Sequence, residues 1–131
     1  MVTKLPTVSW LNVFHFTANN RNMGKHGDRI PALFINRHGY FHIVSSVNDK
    51  PNYWKNFNFE LGKTYKITIQ QTKIGSKYWY EIILNGDSML RVENKNPLEF
   101  SDVHLYESDP WYDSFSADFG SICNVNIDQD M

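Results

Sequence analysis

Apolar and polar residues alternate with a period of two along most of this chain, and no stretch sustains the 3.6-residue period of an amphipathic helix. The pattern predicts a nearly all-β protein. In the first run, Trp10 to Phe16, strict alternation places Trp10, Asn12, Phe14 and Phe16 on one face and Leu11, Val13 and His15 on the other. Both faces are largely apolar, as in a strand at the middle of a sheet. From Thr17 to Asp28 the chain becomes polar and rich in Asn and Gly, too long for a tight turn, so this is a loop with room for function. Ala32 to Asn36, the turn Arg37-His38-Gly39, and Tyr40 to Ser46 form an expected hairpin.

Further on, Tyr65, Ile67 and Ile69 alternate with Lys66, Thr68 and Gln70, the signature of a sheet with one wet face. Gly75-Ser76 separates this run from Lys77 to Asn85, where Tyr78, Tyr80, Ile82 and Leu84 oppose Trp79, Glu81 and Ile83. Asn85-Gly86 is a strong hairpin signal, because a type I′ turn needs positive φ at both central residues. Met89 to Val92 returns from that turn, Phe100 to Tyr106 forms a further strand ended by Ser108-Asp109-Pro110, and Gly120 to Ile127 is the last. Many short strands with closely spaced turns and no helices between them predict an antiparallel β-sandwich.

Composition narrows the function classes. With 131 residues, 41% hydrophobic and 15% aromatic, the chain has material for one core and is read as a single domain over residues 1–131. No apolar run approaches the roughly 20 residues of a membrane helix, so no membrane span is expected. A basic segment followed by an apolar leader does not open the chain. Thirteen basic and 14 acidic side chains give a net charge of −1, which supplies no field for a phosphate backbone, so no nucleic-acid partner is expected. The lone Cys123, in the strand-like run Ser121 to Val125, reads as an inert thiol.

Four strings carry a family resemblance: Gly27-Asp28-Arg29-Ile30-Pro31-Ala32; Ser46-Val47-Asn48 followed by Asn52-Tyr53; the Gly75 to Gly86 hairpin with its Leu84-Asn85-Gly86 turn; and Ser108-Asp109-Pro110-Trp111-Tyr112. Together they resemble a laminin-G-like, concanavalin A-like module, over about Leu5 to Ile127. The resemblance implies a jelly-roll sandwich and an extracellular binding role without naming a ligand. Two features depart from the pattern. The loop before Gly27, Thr17 to Asn22, lacks the cysteines such modules often place there, and only Met1 to Lys4 precede the stretch from Leu5 where the module has a further strand. A sheet lacking that strand would offer unpaired backbone to a second copy or a strand-donating partner.

Candidate site residues fall in three groups. Asp28 and Arg29 end the long loop; each either ties down neighbouring loops through charge-assisted hydrogen bonds or, for Asp28 together with Asp109, supplies oxygens to a calcium ion at the sandwich rim. Asn52-Tyr53-Trp54 and Asp109-Pro110-Trp111-Tyr112 set aromatic faces beside polar groups, the combination a sugar ring requires; Trp54 and Trp111 serve equally well as hydrophobic plugs. Among five histidines, His15, His42 and His104 lie on strands as core or face residues, and only His26 sits in the loop; none has the neighbours of a zinc site. Glu81, Glu93, Glu99 and Glu107 form no acidic pair at strand spacing, and neither a Gly-x-Ser-x-Gly elbow nor a phosphate loop is present. The expected function is therefore a noncatalytic recognition or adhesion module that binds carbohydrate or a glycosylated protein surface through rim loops. The rival expectations are an assembly protein that associates through sheet edges and, third, a sandwich-fold glycosidase.

Overall fold

The computed structural model describes residues 1–100 and 103–122, and they form two largely antiparallel sheets that pack face to face. The larger sheet contains β1 (Trp10–Thr17), β2 (Ala32–Asn36), β3 (Tyr40–Val47) and β4 (Lys50–Asn58), in the order β4-β3-β2-β1 and continued beyond β1 by β8 (His104–Tyr106). A two-residue strand, β9 (Asp113–Ser114), lies parallel to β1. The smaller sheet is β5 (Ile67–Ile74), β6 (Lys77–Leu84) and β7 (Asp87–Asn94). Among the described residues no helix is long and apolar enough to cross a membrane. The expected last strand from Gly120, including Cys123, lies outside the described residues from 123 onward; Gly120 itself bridges Val2.

Side chains from both sheets meet in one core. Leu11, Leu33, Ile35, Phe41 and Ile43 come from the larger sheet and Tyr80 and Ile82 from the smaller, with Ile67, Ile69, Leu90 and Val92 closing in from β5 and β7. Each such side chain contributes about 1.5–3 kcal/mol by leaving water, and this burial is what presses the two layers together. Turn chemistry sets the registers. Asn85 and Gly86 adopt φ of 51° and 86°, as a type I′ hairpin demands, and Gly39 at 86° closes the β2–β3 turn. There the Asn36 side chain accepts from the His38 amide at 2.8 Å.

Two expectations are corrected. First, alternation fails within β1, because Asn12 pairs with Phe34 and Phe14 with Leu33, leaving Val13 as an extra residue in a β-bulge. Beyond the bulge the faces exchange: Leu11, Val13 and Phe14 turn to the core, while Trp10 and His15 share the opposite face with Phe34. The Asn12 amide donates to the carbonyls of Phe14 and Leu33 at 3.1 and 3.3 Å, which satisfies backbone groups that the bulge leaves without ladder partners. Second, Asn52-Tyr53-Trp54 lies not beside a turn but within the nine-residue edge strand β4. Pro51 is tolerated there because an edge strand can spare one donor. Among the described residues no strand precedes β1; Met1 to Lys4 pack on the body of the protein, where Val2 is buried in the core and bridges Gly120 and the Thr3 amide donates to the Phe119 carbonyl at 2.8 Å.

Ile82 is fully buried in the core at the middle of β6. Replacing it by Ala should cost about 2–5 kcal/mol, read as a lowered midpoint in urea at unchanged slope. A loss under 1 kcal/mol would mean the sheets do not meet there.

Candidate functional site

The outer face of the larger sheet carries its own apolar patch, Ala32, Phe34 and Val44, with Trp10 and Tyr112 packed on it. Two loops converge over this face, and a buried imidazole ties them together. His15, fully buried on β1, has Nδ1 2.7 Å from Oδ2 of Asp109 and Nε2 2.6 Å from the backbone carbonyl of Asp28. Both ring nitrogens lie within hydrogen-bond reach of an oxygen, so the one ring spans both loops. Sequence placed His15 on a strand and Asp109 in a turn 94 residues away; only the fold shows that they are one unit.

Each acid then organises its own loop. The Oδ1 of Asp109 accepts from the amides of Trp111 and Tyr112 at 3.1 and 2.9 Å, and its own amide donates to Oδ1 of Asn12 at 2.8 Å. The turn is thus anchored to the bulge. Asp28, also fully buried, accepts from Nδ2 of Asn19, Nε of Arg21 and the amides of Met23 and Lys25, all between 2.8 and 3.1 Å. Burial alone would push its carboxyl up, but these donors, Asn19 foremost, outweigh it and hold the group below the usual carboxylate range. Both carboxylates are filled by N–H donors, and no cluster of three or more potential metal ligands occurs among the described residues. Asp28 and Asp109, the two acids considered for calcium, thus each anchor a loop, one on either side of His15.

Between the anchored loops, Trp10, Arg29, Phe34, His42 and Tyr112 line a groove of about 160 Å³. Arg29 crosses it with its guanidinium 5.5 Å from the Phe34 ring centre, donating from Nε to Asn22 at 2.7 Å, from Nη1 to Asn52 at 2.9 Å and from Nη2 to the Tyr112 hydroxyl at 3.1 Å. Tyr112 packs edge-on to Phe34 at 4.9 Å. Opposite, His42 sits 4.8 Å from the Trp10 ring and 5.5 Å from that of Trp54, with Nδ1 2.7 Å from Oδ1 of Asn56. Burial, helped by the charge of Arg29, holds the His42 imidazole below its ordinary pKa, with the Asn56 bond opposing.

Of the residues singled out from sequence, the structure gathers Arg29, Asn52, Trp54 and Tyr112 on this face. Tyr53 points the other way, to the core side, where it meets Tyr80. Trp111 lies over His15 and Tyr106 and remains 38% exposed, capping the buried pair. His26 stays in the loop, its backbone carbonyl held by Asn19 at 2.8 Å. Trp10, Phe34 and His42 belong to the groove and were not anticipated. Their signal was present as period-two spacing from Phe34 to Ala32 and from His42 to Tyr40, but which of two apolar faces stays open depends on the bulge.

Removing one partner of a buried hydrogen-bonded pair leaves the other unsatisfied. Asp109→Ala should therefore cost roughly 3–5 kcal/mol in chemical denaturation; a loss near 1 kcal/mol would show that the pair is a marginal contact. For His42 the folded-state pKa lies below 6.5, so its contribution to stability is complete above that pH and is lost as pH falls through the lowered folded value. The His42 ring signals in NMR should titrate below 6.5, and His42→Gln should flatten that part of the melting-temperature profile. Titration above 6.5 would contradict the burial. Comparison of the chain with models of protein families, with curated proteins and with solved structures gives no match.

Proposed function

We propose that this protein is a noncatalytic recognition module that binds carbohydrate, free or on a glycoprotein, through the groove on the outer face of its larger sheet. The observation that carries this reading is Trp54, a large aromatic left 54% exposed in mid-strand beside Arg29, Asn52 and Asn56. Its backbone pairs with Val44, which puts the indole on the outer face at the margin of the groove. An aromatic plane offers itself to the C–H face of a sugar ring while neighbouring amide and guanidinium groups serve its hydroxyls. Loop anchoring by His15 supports this as well, because groups already held in place lose less freedom on binding.

The rival readings draw less support. A glycosidase acts through two carboxylates flanking the scissile bond, and the five side chains lining the groove include none. Association through a sheet edge has β4, β5, β7 and β8 as candidates, and of these β4 carries Pro51 and the exposed Lys50 and Lys55, devices by which edges resist pairing. The extracellular setting implied by the laminin-G-like resemblance is part of the same proposal. Against a glycan array followed by calorimetry on the hits, Trp54→Ala should weaken binding by about tenfold, ~1.4 kcal/mol, without lowering the melting temperature. Undiminished binding by this variant would remove the groove from consideration.

A further inference from the structure

We propose that the ligand of this groove is an acidic saccharide, and that its carboxylate is seated on Arg29. This rests on the carbohydrate reading and specifies it. A guanidinium has five N–H donors, and Arg29 uses three of them within the protein: the single one on Nε, one on Nη1 and one on Nη2. One N–H on each terminal nitrogen is left.

The partners of Arg29 add to this donor set. Tyr112 accepts from Nη2 with its hydroxyl oxygen, so its own proton is free to be donated; Asn52 accepts from Nη1 with its carbonyl oxygen, so its amide nitrogen is free to donate. Around Arg29, then, the unspent groups are donors. A neutral hydroxyl facing them could use only its oxygen, whereas a carboxylate, which only accepts, suits them with both oxygens.

Charge points the same way. Arg29 forms no ion pair with any described carboxylate, and the groove lining contains no acid. Asp28, its neighbour in sequence, is filled by its own loop donors. Size sets the remaining limit. At about 160 Å³ the groove is well below the ~300–1,000 Å³ of pockets that enclose drug-sized ligands, so it takes one sugar unit or its acid group while the rest of the chain lies along Trp54.

Calorimetry on the full chain with matched pairs tests this: sialyllactose against lactose, and trigalacturonate against the same trisaccharide with its carboxylates reduced to alcohols, with a sulfated galactose oligosaccharide as a further arm. At least one acidic member should bind about tenfold or more tighter than its neutral counterpart. Arg29→Lys, which keeps the charge but not the fork, should reduce that preference by about tenfold, and Tyr112→Phe, which keeps the ring packed on Phe34, by about fivefold. Melting curves establish that both variants are folded. Equal or tighter binding of the neutral members overturns the acid assignment and leaves carbohydrate binding standing, and a stronger response to the sulfated sugar overturns the carboxylate. No binding by any member of an array of acidic and neutral saccharides overturns both readings.

Discussion

Everything on the outer face of this sandwich hangs on one buried imidazole. His15 lies between the carbonyl of Asp28 and the carboxylate of Asp109, joining β1 and the loop that follows it, Thr17 to Asp28, to the distant turn that carries Trp111 and Tyr112. Placing two ionisable side chains where water is absent is costly, and it is tolerated here because nearly every oxygen involved has a hydrogen-bond partner. Asp109 holds His15 with one oxygen and two backbone amides with the other. The groove exists because those contacts fix where Arg29 and Tyr112 emerge. The bulge at Val13 is equally necessary, since under unbroken alternation His15 would share the core-facing side with Leu11 and Val13.

Much of the architecture was legible in the chain because period-two alternation is a direct consequence of the pleat. Seven of the observed strands were anticipated in outline, β1 to β3 and β5 to β8, and the Asn85-Gly86 and Arg37-His38-Gly39 turns sit where their residues require. β4 escaped notice because Pro51 and its asparagines resemble loop chemistry, whereas at an edge both are acceptable. The site was legible only by residue type. Arg29, Asn52, Trp54 and Tyr112 stood out as polar and aromatic residues near turns, and they do converge, but on a sheet face rather than on a rim. Asp28 and Asp109 stood out as acids with oxygens to offer, and the fold shows each of them accepting from N–H donors of its own loop.

Trp10, Phe34 and His42 were hidden for a different reason. A strand with apolar residues on both sides does not declare which side faces the partner sheet; in β2 both do, one toward Tyr80 and Ile82 and the other toward Trp10 and Tyr112. Larger and smaller sheets are unequal in this fold, and the larger one uses its free face to build a second, shallow apolar layer roofed by loops. That layer gives the groove a rigid floor, and the loops give it polar walls. An aromatic floor with donor-bearing walls is chemistry for a ligand that is part apolar ring and part oxygen acceptor, which is why carbohydrate, and specifically an acidic one, is the reading the side chains support best.

The dependence of the two loops on a single buried pair is tested most directly by a double-mutant cycle in chemical denaturation, comparing wild type, His15→Ala, Asp109→Ala and the double variant. If the imidazole and the carboxylate stabilise each other as described, the double variant should lose far less than the sum of the single losses, with a coupling of roughly 2–3 kcal/mol. Additive losses, within about 0.5 kcal/mol, would mean that each residue acts alone and that the groove is not built on their contact.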